Sequence, residues 1–181
     1  SKEEREPLER DVDEMRQLLD EFLSFARNQS EVAAKSTPTD PIALVKTIVD
    51  DAKRAGRNVR FVGVDIQNFV SMRPLLVKRA LENLVMNAVR YGSKAEISVR
   101  FETGELIFSI ADDGPGIPDH QINQALKPFS RLDPSRNQNH GSGVGLGLPI
   151  AADVARSHGG RLILSKSDVL GGLLAEFIIS R

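Results

Sequence analysis

Apolar residues in the first part of the chain recur at alternating spacings of four and three residues. The positions that share this stripe are Leu8, Val12, Met15, Leu19, Phe22 and Ala26. A repeat of 3.5 residues is typical of helices that pack in coiled coils and bundles, so residues 2–28 are predicted to form one long amphipathic helix. Leu18, Leu23 and Phe25 widen the stripe toward a helix bundle. Its apolar face therefore needs a partner helix, from a second copy of the chain or from a segment upstream.

The hydrophobic pattern changes after this helix and predicts three regions: 1–28, 29–38 and 39–181. Residues 29–38 are polar and without periodicity, which indicates a linker, with a short edge strand around Ser36–Asp40. Helices are predicted by apolar spacings of three and four at Pro41 to about Gly56, Pro74–Tyr91 and Val144–His158. Strands are predicted by alternating or continuous apolar runs at Val59–Val64, Asn68–Met72, Ala95–Glu102, Glu105–Ala111, Arg161–Ser165 and Leu173–Ile179. This order predicts an α+β fold for residues 39–181, a two-layer sandwich with a mixed sheet and helices on one face.

Two glycine-rich segments, Asp112–Gly116 and Gly141–Leu148, enclose a polar stretch. The first follows a predicted strand, and the second leads directly into a predicted helix. Glycine lets the backbone approach a ligand closely, and a glycine-rich turn that opens a helix presents free N–H groups to phosphate. Either segment alone is more often a tight connection. Together they predict a nucleotide site with a long loop, Asp119–His140, as its lid.

Asn83 and Asn87 lie one turn apart on the predicted helix Pro74–Tyr91. Asparagine is a mediocre helix former, so two of them inside a helix need an explanation. One explanation is surface polarity, and the other is a polar ligand shared by both side chains.

The composition limits the function classes. With a formal net charge of −1 over 181 residues, the chain gives no electrostatic case for binding nucleic acid. It has no cysteine, which excludes disulfides and thiolate metal sites. No apolar run reaches the roughly 18 residues of a membrane helix, and no signal peptide is visible. We therefore expect a cytoplasmic piece of a longer chain.

Four motifs in order make the chain resemble the sensor histidine kinases. Residues Asn83–Tyr91 resemble their N box, Asp112–Gly116 the G1 box, Lys127–Arg131 the F box and Gly141–Leu148 the G2 box. Within these kinases, the motifs make the chain most similar to the EnvZ-like osmosensor branch. It implies the Bergerat ATP-binding sandwich, shared with gyrase B, Hsp90 and MutL. Residues 1–28 then resemble the second helix of the dimerisation bundle.

The resemblance also implies roles for single residues, with ATP and Mg²⁺ as the cofactors. Asn87 is implied as the Mg²⁺ ligand, with Asn83 beside the metal or its waters, and Asp112 as the acceptor for the adenine amino group. Asn87, Arg90 and Arg131 are the implied catalytic residues, since both arginines carry charge to the phosphates. The other implied ATP contacts are Tyr91, Gly114, Gly116, Ile117, Lys127, Gly141, Ser142, Gly143, Val144, Gly145, Leu146 and Gly147. Tyr91 could equally be an ordinary aromatic residue at a helix end.

The chain departs from the family in its histidines. His120, His140 and His158 are the only ones, and none lies in the His-Glu or His-Asp motif that receives the phosphoryl group. The implied partners are therefore a phosphoacceptor helix of the same kinase, a response regulator, and a second copy that forms a homodimer through the bundle. The resemblance also places the full-length protein in the bacterial inner membrane.

Two other functions remain open beside the kinase. One is an ATP hydrolase or clamp of the same fold, which would carry a general-base glutamate one turn before the metal-binding asparagine. Here Asn83 occupies that position, and Glu82 lies about 100° away around the helix. The other is an interaction module that binds nucleotide without chemistry.

Overall fold

The computed structural model describes residues 35–130 and 145–181, together with Met15, Leu19 and Leu23, which are helical and exposed. The helices are α1 (Pro41–Arg54), α2 (Pro74–Tyr91), α3 (Asp119–Ala125) and α4 (Gly147–Ser157). The strands are β1 (Thr37–Thr39), β2 (Val59–Phe61), β3 (Val70–Met72), β4 (Ala95–Glu102), β5 (Glu105–Asp112), β6 (Arg161–Lys166) and β7 (Leu173–Ser180). The rest of the predicted N-terminal helix, most of the linker and residues 131–144 lie outside the described residues. No helix of the described part is long and apolar enough to cross a membrane.

The main sheet has five strands in the order β2-β4-β5-β7-β6. Strand β2 is parallel to β4, and the other neighbours are antiparallel. Strands β1 and β3 form a separate antiparallel pair. The predicted mixed sheet is confirmed, and β5 lies at its centre.

One face of the sheet is covered by helices. The alternation along β5 turns Leu106, Phe108 and Ile110 into the core, where each is at most 2% exposed. The Phe108 ring packs against Phe177 of β7, with ring centroids 5.9 Å apart. The opposite face carries cross-strand ion pairs such as Arg100–Glu176, with 2.9 Å between the charged groups. The predicted two-layer α+β sandwich is therefore confirmed.

Helix α1 shows why its boundaries could be predicted. The Asp40 side chain accepts hydrogen bonds from the backbone N–H groups of Ile42 at 2.9 Å and Ala43 at 3.3 Å, and Pro41 occupies the first turn. The helix ends just before Gly56, which has a φ of 73°.

The structure corrects three expected boundaries. The stretch Asp119–Ala125, expected to be loop, is helix α3, because Ala125 is buried and the neighbouring Ile122 packs on the core. Helix α4 begins at Gly147 rather than Val144, since Gly145 has a φ of 75° that a right-handed helix cannot include. Strand β2 ends at Phe61 rather than Val64, just before Gly63 with its φ of 150°.

Candidate nucleotide-binding site

Asp112 is the last residue of β5 and lies on the helix-covered face of the sheet. Its side chain is only 4% exposed. One carboxylate oxygen, Oδ1, accepts hydrogen bonds from the backbone N–H groups of Gly114 at 2.8 Å and Leu173 at 3.0 Å. Burial raises the pKa of Asp112, these two hydrogen bonds oppose the rise, and the charge of Asp113 adds to it. No described residue donates to the other oxygen, Oδ2, which is therefore available as an acceptor for a ligand.

The turn between β6 and β7 contacts Asp112. The Gly172 N–H donates to the Asp112 carbonyl oxygen at 3.0 Å. A Cβ at Gly172 would lie 2.2 Å from Asp112 Oδ1 and 2.5 Å from the Gly114 nitrogen. The turn after β5 and the turn between β6 and β7 therefore lie so close together that no space remains for a side chain at Gly172.

Asp113 joins the end of helix α2 to the turn after β5. Its Oδ1 accepts the backbone N–H of Ser93 at 2.7 Å and that of Lys94 at 2.9 Å, and its Oδ2 accepts the Ser93 hydroxyl. The Ser93 hydroxyl and the Lys94 N–H lower the pKa of Asp113 to about 2. This carboxylate is therefore charged at neutral pH and ties α2 to the Asp112 turn.

Asn83 and Asn87 are partly buried in the second half of α2, and Asn83 lies beside the start of α4. A Cβ built on Gly147 would lie 3.7 Å from the Asn83 Cβ. No side chain caps α4 at its N-terminus. Pro149 has no N–H and the Ile150 N–H donates to the Leu146 carbonyl oxygen, so the N–H groups of Gly147 and Leu148 are the backbone donors of the first turn without helical partners. Asn83 thus lies next to a helix N-terminus with two available donors.

The Asn83 amide nitrogen is buried and has no hydrogen-bond partner among the described residues. A buried unpaired polar atom costs about 1–3 kcal/mol, which the surface-polarity explanation for Asn83 does not account for. Within the described ranges, no three histidine, aspartate or glutamate side chains lie together as a metal cluster.

Phe129 and Ser130 lie next to Gly145, on the other side of residues 131–144 in the sequence. The Phe129 N–H donates to the Gly145 carbonyl oxygen at 3.2 Å, and a Cβ at Gly145 would lie 2.5 Å from the Ser130 carbonyl oxygen. Phe129 is 60% exposed and has a φ of 61°, which non-glycine residues rarely adopt.

The other predicted site residues that the structure describes range from exposed to fully buried. Arg90 and Tyr91 lie at the end of α2. Gly114 packs against the Tyr91 carbonyl oxygen, and a Cβ added at Gly114 would lie 2.8 Å from that oxygen. Gly116 follows the same turn, with a φ of 70°. The remaining described positions are Ile117, partly buried against the core, Lys127, exposed, Gly145, partly buried, and Leu146, fully buried. The Leu146 side chain is part of the hydrophobic core.

The predicted residues Arg131, Gly141, Ser142, Gly143 and Val144 lie outside the described residues. Sequence reasoning missed Gly172 and Leu173, whose contacts with Asp112 are described above. The available signal was the Gly171-Gly172 pair between the last two strands, which by itself indicates only a turn. It also missed the role of Asp113, because an aspartate in a turn is common for local reasons.

A family model described as histidine kinase-, DNA gyrase B-, and HSP90-like ATPase matches residues 72–179. The sensor histidine kinase GtrS of Pseudomonas aeruginosa is 32% identical over 177 residues, which are 98% of this chain and 36% of that protein. The sensor protein RstB of Escherichia coli strain K12 is 34% identical over 179 residues, 96% of this chain and 41% of that protein. The chain thus spans about two fifths of the length of these curated relatives.

A solved structure gives the same assignment. The NMR structure of the histidine kinase domain of the E. coli osmosensor EnvZ has a TM-score of 0.61 and 32% identity, and the match covers 81% of this chain and 89% of that one. Together with the order of the four motifs, these matches support the interpretation made from the sequence. The chain belongs to the histidine kinase-, DNA gyrase B- and HSP90-like ATPase family, in which it carries the ATP-binding core of the sensor histidine kinase type.

Proposed function

We propose that this chain binds Mg²⁺-ATP and transfers the γ-phosphoryl group to a histidine on a separate bundle helix, for relay to a response regulator. The observation that carries the proposal is Asp112, a buried carboxylate at the end of the central strand with one oxygen held by two backbone donors. Such an arrangement leaves Oδ2 as an acceptor of fixed orientation. It suits an N–H donor on the edge of a purine.

Adenine fits this acceptor because its amino group donates a hydrogen bond. Guanine presents a carbonyl oxygen at the same position. Two hydrogen-bond acceptors would then face each other, and the partial negative charge of the carbonyl oxygen would be repelled by the carboxylate. Gly114, Gly116 and Ile117 follow Asp112 along the turn, and we assign them the close backbone approach to the base. A site built to pair one hydrogen-bonding group rejects analogues that lack it.

The residues near α4 fit a hydrated magnesium ion. Mg²⁺ keeps several waters in proteins and takes few protein ligands besides phosphate. Asn87 would supply one oxygen, and the Asn83 side chain one turn earlier would lie beside the metal or its waters. Bound Mg²⁺ supplies charge neutralisation for the phosphates. The chain's own part is to hold these groups on a rigid helix.

The phosphates are assigned to the N-terminus of α4 and the glycine-rich segment before it. This backbone includes Gly145 and Gly147, and the N–H groups of Gly147 and Leu148, which have no helical partners, favour negative charge. We assign Arg90, Lys127 and Arg131 to charge stabilisation of the phosphoryl group in transfer. Phosphoryl transfer depends mainly on such positioning and electrostatic stabilisation.

Hydrolysis of ATP by this chain is disfavoured by the position of its glutamate. Glu82 is on the neighbouring face of α2 and lies 3.5 Å from Lys78 in an ion pair. Asn83, in the position expected of a general base, cannot take up a proton usefully at neutral pH. The geometry therefore favours transfer to a partner over transfer to water.

The test is a phosphotransfer assay with γ-labelled ATP. The chain alone should show no stable self-labelling, and adding a separate protein that carries the first bundle helix should yield label that survives base and is lost in acid, as expected of phosphohistidine. Asn87→Ala is the matched control and should abolish labelling of the acceptor. Self-labelling of the chain alone, or rapid release of phosphate to water, would contradict the proposal.

The proposal extends to the longer protein. In it, we expect a homodimer through the bundle that includes residues 1–28, and an anchor in the bacterial inner membrane with this chain on the cytoplasmic side. The exposed helical residues Met15, Leu19 and Leu23 support the first expectation, because they continue the apolar stripe predicted for a bundle. We assign no nucleic-acid partner.

A further inference from the structure

The turn between β6 and β7 lies outside the four motifs that carry the nucleotide site, yet it touches the residue on which base recognition depends. We propose that Gly172 is a positioning residue for adenine recognition, because its missing side chain lets the Leu173 N–H reach Asp112 and orient the carboxylate. This inference rests on the proposed function and adds the turn between β6 and β7 to the same site.

The first argument is the space at Gly172. A Cβ there would lie 2.2 Å from Asp112 Oδ1, 2.5 Å from the Asp112 carbonyl oxygen and 2.5 Å from the Gly114 nitrogen. Contacts below 3.0 Å are not tolerated without movement, and these atoms are backbone and a buried carboxylate. Gly172 is not in a left-handed conformation, whereas Gly171 beside it has a φ of 87°. A side chain at position 172 is therefore forbidden by steric contact and not by the backbone conformation.

The second argument is the hydrogen bonding of the carboxylate. Leu173 N–H and Gly114 N–H both donate to Oδ1, at 3.0 and 2.8 Å. Two donors on one oxygen fix the plane of the carboxylate, and Oδ2 then has one orientation. Gly114 belongs to the same local turn as Asp112, but Leu173 approaches from a strand 61 residues later. The Leu173 bond thus depends on how closely the two turns approach.

The third argument is that the turn is held in place independently of ligand. Ser167 is only 2% exposed. Its N–H donates to the Gly172 carbonyl oxygen at 2.8 Å, its carbonyl oxygen accepts the Gly171 N–H at 2.8 Å, and its hydroxyl oxygen accepts the Leu170 N–H at 3.1 Å. A turn tied at both ends in this way presents the Leu173 N–H in a constant position.

The test compares two alanine substitutions in one turn. Gly172→Ala places a methyl group against Asp112, whereas Gly171→Ala has open space within 4 Å and only strains the backbone at positive φ. Affinities for ATP and GTP are measured by calorimetry for both variants and the parent. Gly172→Ala should lose roughly tenfold or more in ATP affinity, the loss expected for one charge-assisted hydrogen bond, and its preference for ATP over GTP should shrink. Gly171→Ala should lower the melting temperature and keep the preference.

A double-mutant cycle shows whether Gly172 acts through Asp112. In an Asp112→Asn background, Gly172→Ala should cause little further loss of ATP affinity. Additive effects, an unchanged ATP preference in folded Gly172→Ala, or an equal loss in Gly171→Ala would overturn the inference. If the parent itself shows no preference for ATP, the proposed adenine site fails instead, which separates the two conclusions.

A measurement on the parent covers the case in which Gly172→Ala does not fold. The amide resonances of Leu173 and Gly114 should titrate together with the Asp112 carboxylate in an NMR pH series, and Asp112→Asn should remove both titrations. A Leu173 amide that does not follow Asp112 would show that the turn does not hold the carboxylate, and the inference would be wrong.

Discussion

Asp112→Asn separates base recognition from folding more cleanly than any other change in the site. Asparagine keeps a carbonyl oxygen in place of Oδ1, so the N–H groups of Gly114 and Leu173 retain their acceptor. It replaces Oδ2 with an NH₂ group, which then faces the adenine amino group as a second donor. The fold should persist while the contact with the base is lost.

The magnitude follows from the hydrogen bonds involved. A hydrogen bond to a charged group contributes about 1.5–3 kcal/mol, so ATP affinity should fall by roughly 10- to 150-fold at about 1.4 kcal/mol per decade. The free energy of unfolding should change by only about 1–2 kcal/mol, because both backbone donors stay paired and the cost of burying a charge disappears. Asp112→Ala, in contrast, leaves two buried N–H groups unpaired and should cost roughly 2–6 kcal/mol at about 1–3 kcal/mol each.

The assay combines calorimetric titration of ATP, ADP and GTP with urea unfolding of parent, Asp112→Asn and Asp112→Ala. ATP and ADP should weaken alike, because the change is at the base and not at the γ-phosphate. Parent affinities that are equal for ATP and GTP, or an Asp112→Asn variant that binds ATP as tightly as the parent, would refute the placement of adenine at this carboxylate.

Three further predictions concern the metal, the lid and the helix ends. Asn87→Ala should remove the magnesium dependence of nucleotide affinity and leave nucleoside binding intact; calorimetry with and without Mg²⁺ checks this, and an unchanged magnesium effect would exclude Asn87 as the ligand. The predicted lid, residues 119–140, should gain protection in hydrogen exchange with a non-hydrolysable ATP analogue, and unchanged exchange would count against a lid. Burial lowers the pKa of His158 below 6.5, so the unfolded chain takes up this proton first and the free energy of unfolding should decrease as pH falls below about 6.5. His158→Gln should lack this part of the pH dependence in urea titrations, and identical pH profiles would contradict it.

The last of these predictions depends on a contact between two helix ends. Arg73, just before α2, is only 8% exposed and donates its backbone N–H to His158 Nε2 at 3.2 Å, and the His158 Nδ1 lies 2.8 Å from the Val154 carbonyl oxygen. Neutral histidine can satisfy both contacts, as acceptor on Nε2 and donor on Nδ1. A protonated ring would lose the acceptor and lie beside the Arg73 charge.

Much of the fold could be predicted because its signals are local. The capping Asp40 and Pro41 set the start of α1, and the alternation of Leu106, Phe108 and Ile110 set both the strand β5 and its buried face. The short helix α3 was missed because its seven residues carry only a partial apolar pattern, so burial of Ala125 against the core decides its structure. The start of α4 was placed too early because the apolar pattern does not reveal the positive φ of Gly145.

The sequence by itself determined that this chain folds as a sandwich with Asp112 at the end of a core strand, because alternation and glycine spacing are properties of neighbouring residues. It also determined the family, through four motifs in order. Only the tertiary structure decided which backbone groups hold Asp112 and how Asp113 ties α2 to the site. The physical reason is distance along the chain: the Leu173 N–H meets Asp112 across 61 residues and Arg73 meets His158 across 85. Such contacts follow from the sheet order and the packing of helices on it, which no local pattern contains.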